Sequence, residues 1–307
     1  MVRRGLYTIL ISVTATLSLL ACGIEIERED DGITKSLKTP TNNSFINPRV
    51  IYGDDDRLDL YDVDDLDVLF LAEATAILVS RFALEDQGNG YTSLNTDTYG
   101  KVNGLCPTER FYHQPSLGFC SGFLVSPDTV LTAGHCVRRA SDCSFTRFVF
   151  GFGYHTKDTE LHSLPTSQIY SCKEIKRSVV ERPAGADYAI IKLDREVEGI
   201  TPLQVRNSGQ IQVGEPLFVI GNPSGLPTKV AAGANVRSHK GSFFVANLDT
   251  YRGNSGSAVF NANTLEVEGI LVRGETDFRF DGNCRVSYVC EDDGCRGEDV
   301  TNIMRVH

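Results

Sequence analysis

The chain contains no tryptophan and, beyond its initiator, a single methionine, Met304. Indole fluorescence therefore cannot report its folding, and Met304 reads as packing for the tail. It also lacks any C-x-x-C pair, any internal repeat and any low-complexity tract. After the first twenty residues no apolar run is long enough to cross a bilayer. Positive charge is short as well: 30 Lys and Arg against 40 Asp and Glu leave −10, which argues against a partner held through nucleic-acid phosphates. That acidity is local. Residues 23–67 hold thirteen acids and five bases, so the remainder is close to neutral. What is present is ordinary globular composition, 41% hydrophobic and 23% charged. At ~150 residues per domain, 307 residues allow about two domains or one large all-β unit.

The start of the chain has its own chemistry. Arg3 and Arg4 precede an apolar stretch from Leu6 to Leu20, and small Ala21 precedes Cys22. This is a secretory signal pattern over residues 1–21. A membrane anchor is disfavoured because the stretch is short for a span and carries Thr and Ser. Leu19-Leu20-Ala21-Cys22 resembles the lipobox of bacterial lipoproteins, which implies a lipid on Cys22 and attachment to the cell envelope, with plain secretion as the alternative. Eight cysteines remain, an even number suited to four disulfides in an oxidising compartment. Cys284, Cys290 and Cys295 lie close together, but their spacing and the lack of a nearby His argue against zinc. No metal or cofactor is expected.

Residues 22–49, punctuated by Pro40, Asn42, Asn43 and Pro48, read as a linker or pro-segment ahead of a main domain over 50–307. The run from Asp54 to Asp67 carries eight Asp and reads as a solvated acidic strand or turn, since no calcium-loop pattern with a closing Glu follows. Beyond it come short apolar runs broken by Gly, Pro, Asn and Asp: 74–79, 122–125, 130–133, 148–152, 188–193, 217–220, 257–260 and 267–272. Each has strand length and strand composition, predicting an all-β sandwich or barrel. Over Leu66 to Val79 helix and strand cannot be separated by pattern.

Three segments carry chemistry: Thr132-Ala133-Gly134-His135-Cys136, Ala186-Asp187-Tyr188-Ala189, and Gly253-Asn254-Ser255-Gly256-Ser257. Singly, each has a bland reading as a core or loop segment. Together they supply the parts of nucleophilic acyl transfer: a hydroxyl, an imidazole to accept its proton, and a carboxylate to fix the imidazole's tautomer. In the order His, Asp, Ser, and without a G-x-S-x-G elbow, they resemble the trypsin-like serine peptidases, from about Val50 to Val306. The resemblance implies Ser255 as nucleophile, His135 as general base, Asp187 as orienting acid, and the amides of Gly253 and Ser255 as oxyanion hole. It also implies a Cys120–Cys136 disulfide beside His135, and an all-β fold of two six-stranded antiparallel barrels, about 70–195 and about 203–290, with the active site between them. Residues 194–203 would cross over. His113, His155, His162, His239 and His307 read as structural or solvated.

Gly-Asn-Ser-Gly-Ser, and the stretch from Val50 to Arg57, resemble the bacterial branch that includes the glutamyl endopeptidases, which implies processing after Arg49. Asn254 cannot supply the carboxylate that pairs with a new terminal amine in the animal enzymes. The implied substrate is a polypeptide and the expected state a monomer. For the primary pocket the resemblance points to Asp249, Thr250, Leu271 and Arg273, giving cleavage after Lys or Arg, with Glu as the alternative. The competing function is a catalytically silent, lipid-anchored binding or scaffold protein on a peptidase fold.

Overall fold

The computed structural model describes residues 49–182 and 184–307. The expected signal peptide, the lipidation site at Cys22 and nearly all of the 22–49 linker lie outside the described residues. The chain enters through strands β1 (Arg49–Tyr52) and β2 (Arg57–Asp59) and helix α1 (Leu66–Glu73). The Asp65 carboxylate caps α1 by accepting from the amides of Asp67 and Val68. A strand follows directly, so the ambiguous run at Leu66 to Val79 is half helix and half strand.

That strand, β3 (Thr75–Ser80), opens a closed barrel with β4 (Cys120–Ser126), β5 (Thr129–Thr132), β6 (Thr146–Phe150), β7 (Ile169–Val180) and β8 (Asp187–Leu193), in the order β6-β7-β8-β5-β4-β3. Successive side chains of β3 face opposite ways: Ala76 and Leu78 fill the barrel, while Ile77 and Val79 pack outside it with Val149, Phe152 and Leu164. With both faces covered, β3 is apolar throughout instead of alternating.

The second barrel consists of β9 (Pro216–Gly221), β10 (Lys229–Lys240), β11 (Phe243–Ala246), β12 (Ala258–Asn261), β13 (Val267–Arg273) and β14 (Glu298–Asn302), ordered β9-β12-β13-β14-β11-β10 and closed by pairing β9 with β10. Strand β2 adds itself to β10. Leu217, Val219, Val236, Phe244, Val259, Leu271 and Val300 are among the residues of its core. Its last strand lies beyond the bound near residue 290 expected from sequence. The reason is compositional: β14 reads EDVTN, yet all five residues are buried.

The acidic run is also corrected. Two of its carboxylates are not solvated. Asp55 pairs with Arg57 at 2.8 Å and with Arg110 at 2.9 Å, and Asp59 pairs with Lys229 at 2.5 Å, the last two side chains each 2% exposed. Burial pulls the Lys229 ammonium down to about 8 against the attraction of Asp59. Removing one member of such a pair strands the other, so Lys229→Met should lower stability by about 3–5 kcal/mol. Denaturant unfolding followed by far-UV circular dichroism measures this; a loss under about 1 kcal/mol would show that Gln114, which also donates to Asp59, suffices alone.

Four disulfides join Cys106–Cys284, Cys120–Cys136, Cys143–Cys172 and Cys290–Cys295. The first closes a loop of 178 residues between the two halves of the chain, where the entropic constraint on the unfolded state is large.

Candidate active site

The β4–β5 hairpin brings the chain to His135. A side chain on Gly134 would put its Cβ 2.1 Å from the Val179 carbonyl oxygen and 2.7 Å from that of Tyr188, so only glycine lets the backbone lie this close to β7 and β8. His135 emerges with its ring partly exposed. At the head of β8, Asp187 is buried, and it grips the histidine twice: Oδ1 accepts from the His135 amide at 3.0 Å, and Oδ2 lies 2.9 Å from ring Nδ1.

Strands β13 and β14 of the second barrel brace this residue. The Asp187 amide donates to Thr301 Oγ1, which donates back to the Asp187 carbonyl, both at 3.1 Å. Arg273 Nη1 stands 3.6 Å from Asp187 Oδ2, while its Nε donates to Asp299 at 3.0 Å and its Nη2 to the Gly185 carbonyl at 2.8 Å. Asp299, 1% exposed, also receives Arg296 at 2.6 Å.

Ser255 sits in the loop between β11 and β12, flanked by Gly253 at φ +96° and Gly256 at φ +95°, conformations that L side chains rarely adopt. A Cβ on Gly256 would lie 2.0 Å from the Ser121 carbonyl oxygen. The loop is thus laid against β4, and the Ser121 amide donates to the Ser255 carbonyl at 2.8 Å. Ser121 Oγ donates to the Gly253 carbonyl at 2.9 Å. Among the described residues the amides of Gly253 and Ser255 have no acceptor. Asn254 is buried and accepts from Ser257 Oγ at 3.3 Å, which makes it part of the turn. The structure therefore brings together the three segments that the sequence separates by 52 and 68 residues. Cys120, His135 and Cys136 also present donor atoms to one another, but the two sulfurs are joined in a disulfide and offer no thiolate to a metal.

Residues 120–270 match the family model of the trypsin-like peptidase domain. The chain carries a trypsin-like peptidase domain. Over 91 residues the chain is 33% identical to the probable periplasmic serine endoprotease DegP-like of Buchnera aphidicola subsp. Baizongia pistaciae (strain Bp), covering 27% of this chain and 19% of that protein, so the chain spans about a fifth of the relative's length. Among solved structures, the domain is similar to a Glu endopeptidase in complex with MPD, at 19% identity and a TM-score of 0.46 over 74% of this chain and 88% of that one. It is also similar to the serine endoprotease from Yersinia pestis, at 17% identity and a TM-score of 0.42 over 68% and 56%.

A cavity of about 310 Å³ opens beside Ser255 in the peptidase domain, walled by residues 250–252, 271–277 and Glu298. Of the four residues named for the primary pocket, Thr250, Leu271 and Arg273 line this cavity and Asp249 does not. The Asp249 carboxylate is turned toward the entering chain, where Oδ1 accepts from the Tyr52 amide at 2.8 Å and Oδ2 from the Asp56 amide at 2.9 Å. Burial and the neighbouring Asp55 hold its pKa well above the usual carboxylate range. Arg273 neither neutralises Asp249 nor reaches out of the wall, being committed to Asp299, Asp187 and Gly185. Besides Glu275, two other acids line the cavity: Glu298, pushed up to about 8 chiefly by burial, and Asp277, pushed up to about 6 by the same cause. Sequence reasoning missed both, because nothing in EDVTN or in the loop after β13 signals burial.

Proposed function

We propose that the protein is an exported serine endopeptidase that cleaves polypeptides through Ser255, His135 and Asp187. The observation that carries this reading is the double grip of Asp187 on His135 at the wall against which the Ser255 loop is fixed. Asp187 holds a proton on Nδ1, which leaves Nε2 with the lone pair that accepts the Ser255 hydroxyl proton as Oγ attacks the scissile carbonyl. The oxyanion that forms is met by the amides of Gly253 and Ser255, which are held by the backbone and need no reorganisation. His135 then returns its proton to the leaving amine. Water repeats the sequence on the acyl-enzyme and releases Ser255.

Four disulfides fit an oxidising compartment, which supports export; attachment through a lipid on Cys22 belongs to the same proposal. Asn254 has no carboxylate for a terminal amine, and the entering segment is instead fastened by the Tyr52 and Asp56 amides on Asp249. The oxyanion hole is therefore independent of a free amine at Val50. The test is exposure of the purified protein to a fluorophosphonate, with mass spectrometry of the adduct. One adduct, on Ser255, is expected; folded protein that stays unmodified would sink the proposal.

A further inference from the structure

The cavity beside Ser255 holds more acid than the triad requires. Glu298, Asp277 and Glu275 all line it, and the two cations on its wall do not offset them. Arg273 is spent on Asp299 and Asp187, and Arg252 is exposed. Glu298 itself is 3% exposed, and its partners are neutral: Oε2 accepts from the Thr250 hydroxyl at 2.9 Å and Oε1 from the Glu275 amide at 3.2 Å. Two donors to a carboxylate with about four lone-pair directions leave room for two more. Gly274 leaves the carboxylate its space on the cavity wall, since a Cβ there would sit 1.7 Å from Oε2.

We infer that this pocket selects a lysine or arginine side chain on the acyl side of the scissile bond, and that Glu298, from the last strand of the second barrel, is the carboxylate that receives it. The inference rests on the peptidase reading of Ser255. A buried carboxylate with neutral partners is unfavourable in its charged form, and a guanidinium or ammonium entering the cavity supplies the missing counter-charge. An acidic side chain would add a like charge beside Asp277, and a neutral one would leave Glu298 unpaired.

The same geometry couples selection to pH. The titratable and charged groups around Glu298 are Asp277, Glu275, Arg296 and the Tyr52 phenol, and burial outweighs Arg296. The free pocket therefore takes up its charge near pH 8. A cationic side chain binds the ionised form, so its advantage over a neutral isostere grows as pH rises through that value and shrinks by up to ~tenfold per unit below it.

The decisive measurement is kcat/KM for two peptide amides that differ only in arginine or citrulline before the cleaved bond, followed from about pH 6 to about pH 9.5. Chemical steps common to the two substrates cancel in their ratio. Arginine should win by at least about 100-fold at the alkaline end, with the ratio falling through pH 8, and E298Q should cut the ratio by at least about 30-fold and flatten it. Fluorophosphonate labelling of Ser255 runs alongside. A labelled wild type with no arginine preference overturns the inference alone, as does a ratio whose pH dependence is absent or centred near pH 6, the range of Asp277. E298Q that labels normally and keeps the full ratio overturns the role of Glu298. If E298Q fails to fold, the wild-type pH dependence of the ratio decides. An unlabelled wild type overturns the peptidase reading, and this inference with it.

Discussion

Ser255→Ala is expected to lower kcat about a millionfold while leaving the fold unchanged, because the covalent step vanishes and what remains is binding and oxyanion stabilisation of direct attack by water. The separation of effects follows from how the residue is held. Its structural bond is made by the main chain, the Ser255 carbonyl accepting from the Ser121 amide, and alanine keeps it. The two flanking glycines, which set the loop's conformation, are untouched. The expected result is an unfolding midpoint within error of the wild type, read by circular dichroism because tryptophan is absent, and peptide cleavage at background. Activity within about 100-fold of the wild type would mean that another group is the nucleophile.

How far the sequence reaches toward this site depends on what kind of burial is involved. Apolar runs such as Ala74 to Val79 and Leu217 to Ile220 are strands because only a covered position tolerates them, and that logic extends to the hairpin before His135. Gly253 is legible too, as backbone that must approach where a side chain cannot, whereas the close approaches at Gly134 and Gly256 show only in the fold. Burial compensated by distant partners is not legible. Asp55 and Asp59 lie in a run of acids, and nothing local announces Arg110 or Lys229, which are 55 and 170 residues away. Strand β14 is the clearest case: four of its five residues are polar, yet Asp299 and Thr301 brace Asp187 while Glu298 lines the cavity. Position relative to Ser255 directs attention to Asp249 instead, and the entering chain, whose amides occupy that carboxylate, cannot be seen from the residues around it. The cysteine count indicates four bridges but allows 105 pairings, and only the fold selects among them.

Asp187→Asn should cost about 10⁴-fold in kcat, and the two hydrogen bonds to His135 explain why so small a change matters. Asparagine can keep one of them, its Oδ1 accepting from the His135 amide as the carboxylate does at 3.0 Å. Its other terminus is then an NH₂ group facing ring Nδ1. Two donors cannot meet, so the imidazole takes the tautomer with its lone pair on Nδ1 and its proton on Nε2, where it cannot accept the Ser255 proton. The imidazolium formed in the transition state also loses its counter-charge. The fold should bear the change well: Thr301 bonds the backbone of residue 187, and Arg273 keeps Asp299, so a stability loss under about 2 kcal/mol is expected. The effect should fall on kcat more than on KM, because His135 acts on the reacting atoms and the cavity beside Ser255 is left intact. An asparagine variant that kept kcat within about tenfold of the wild type would show that His135 is oriented, or Ser255 deprotonated, by some other group, and the assignment of Asp187 would be withdrawn.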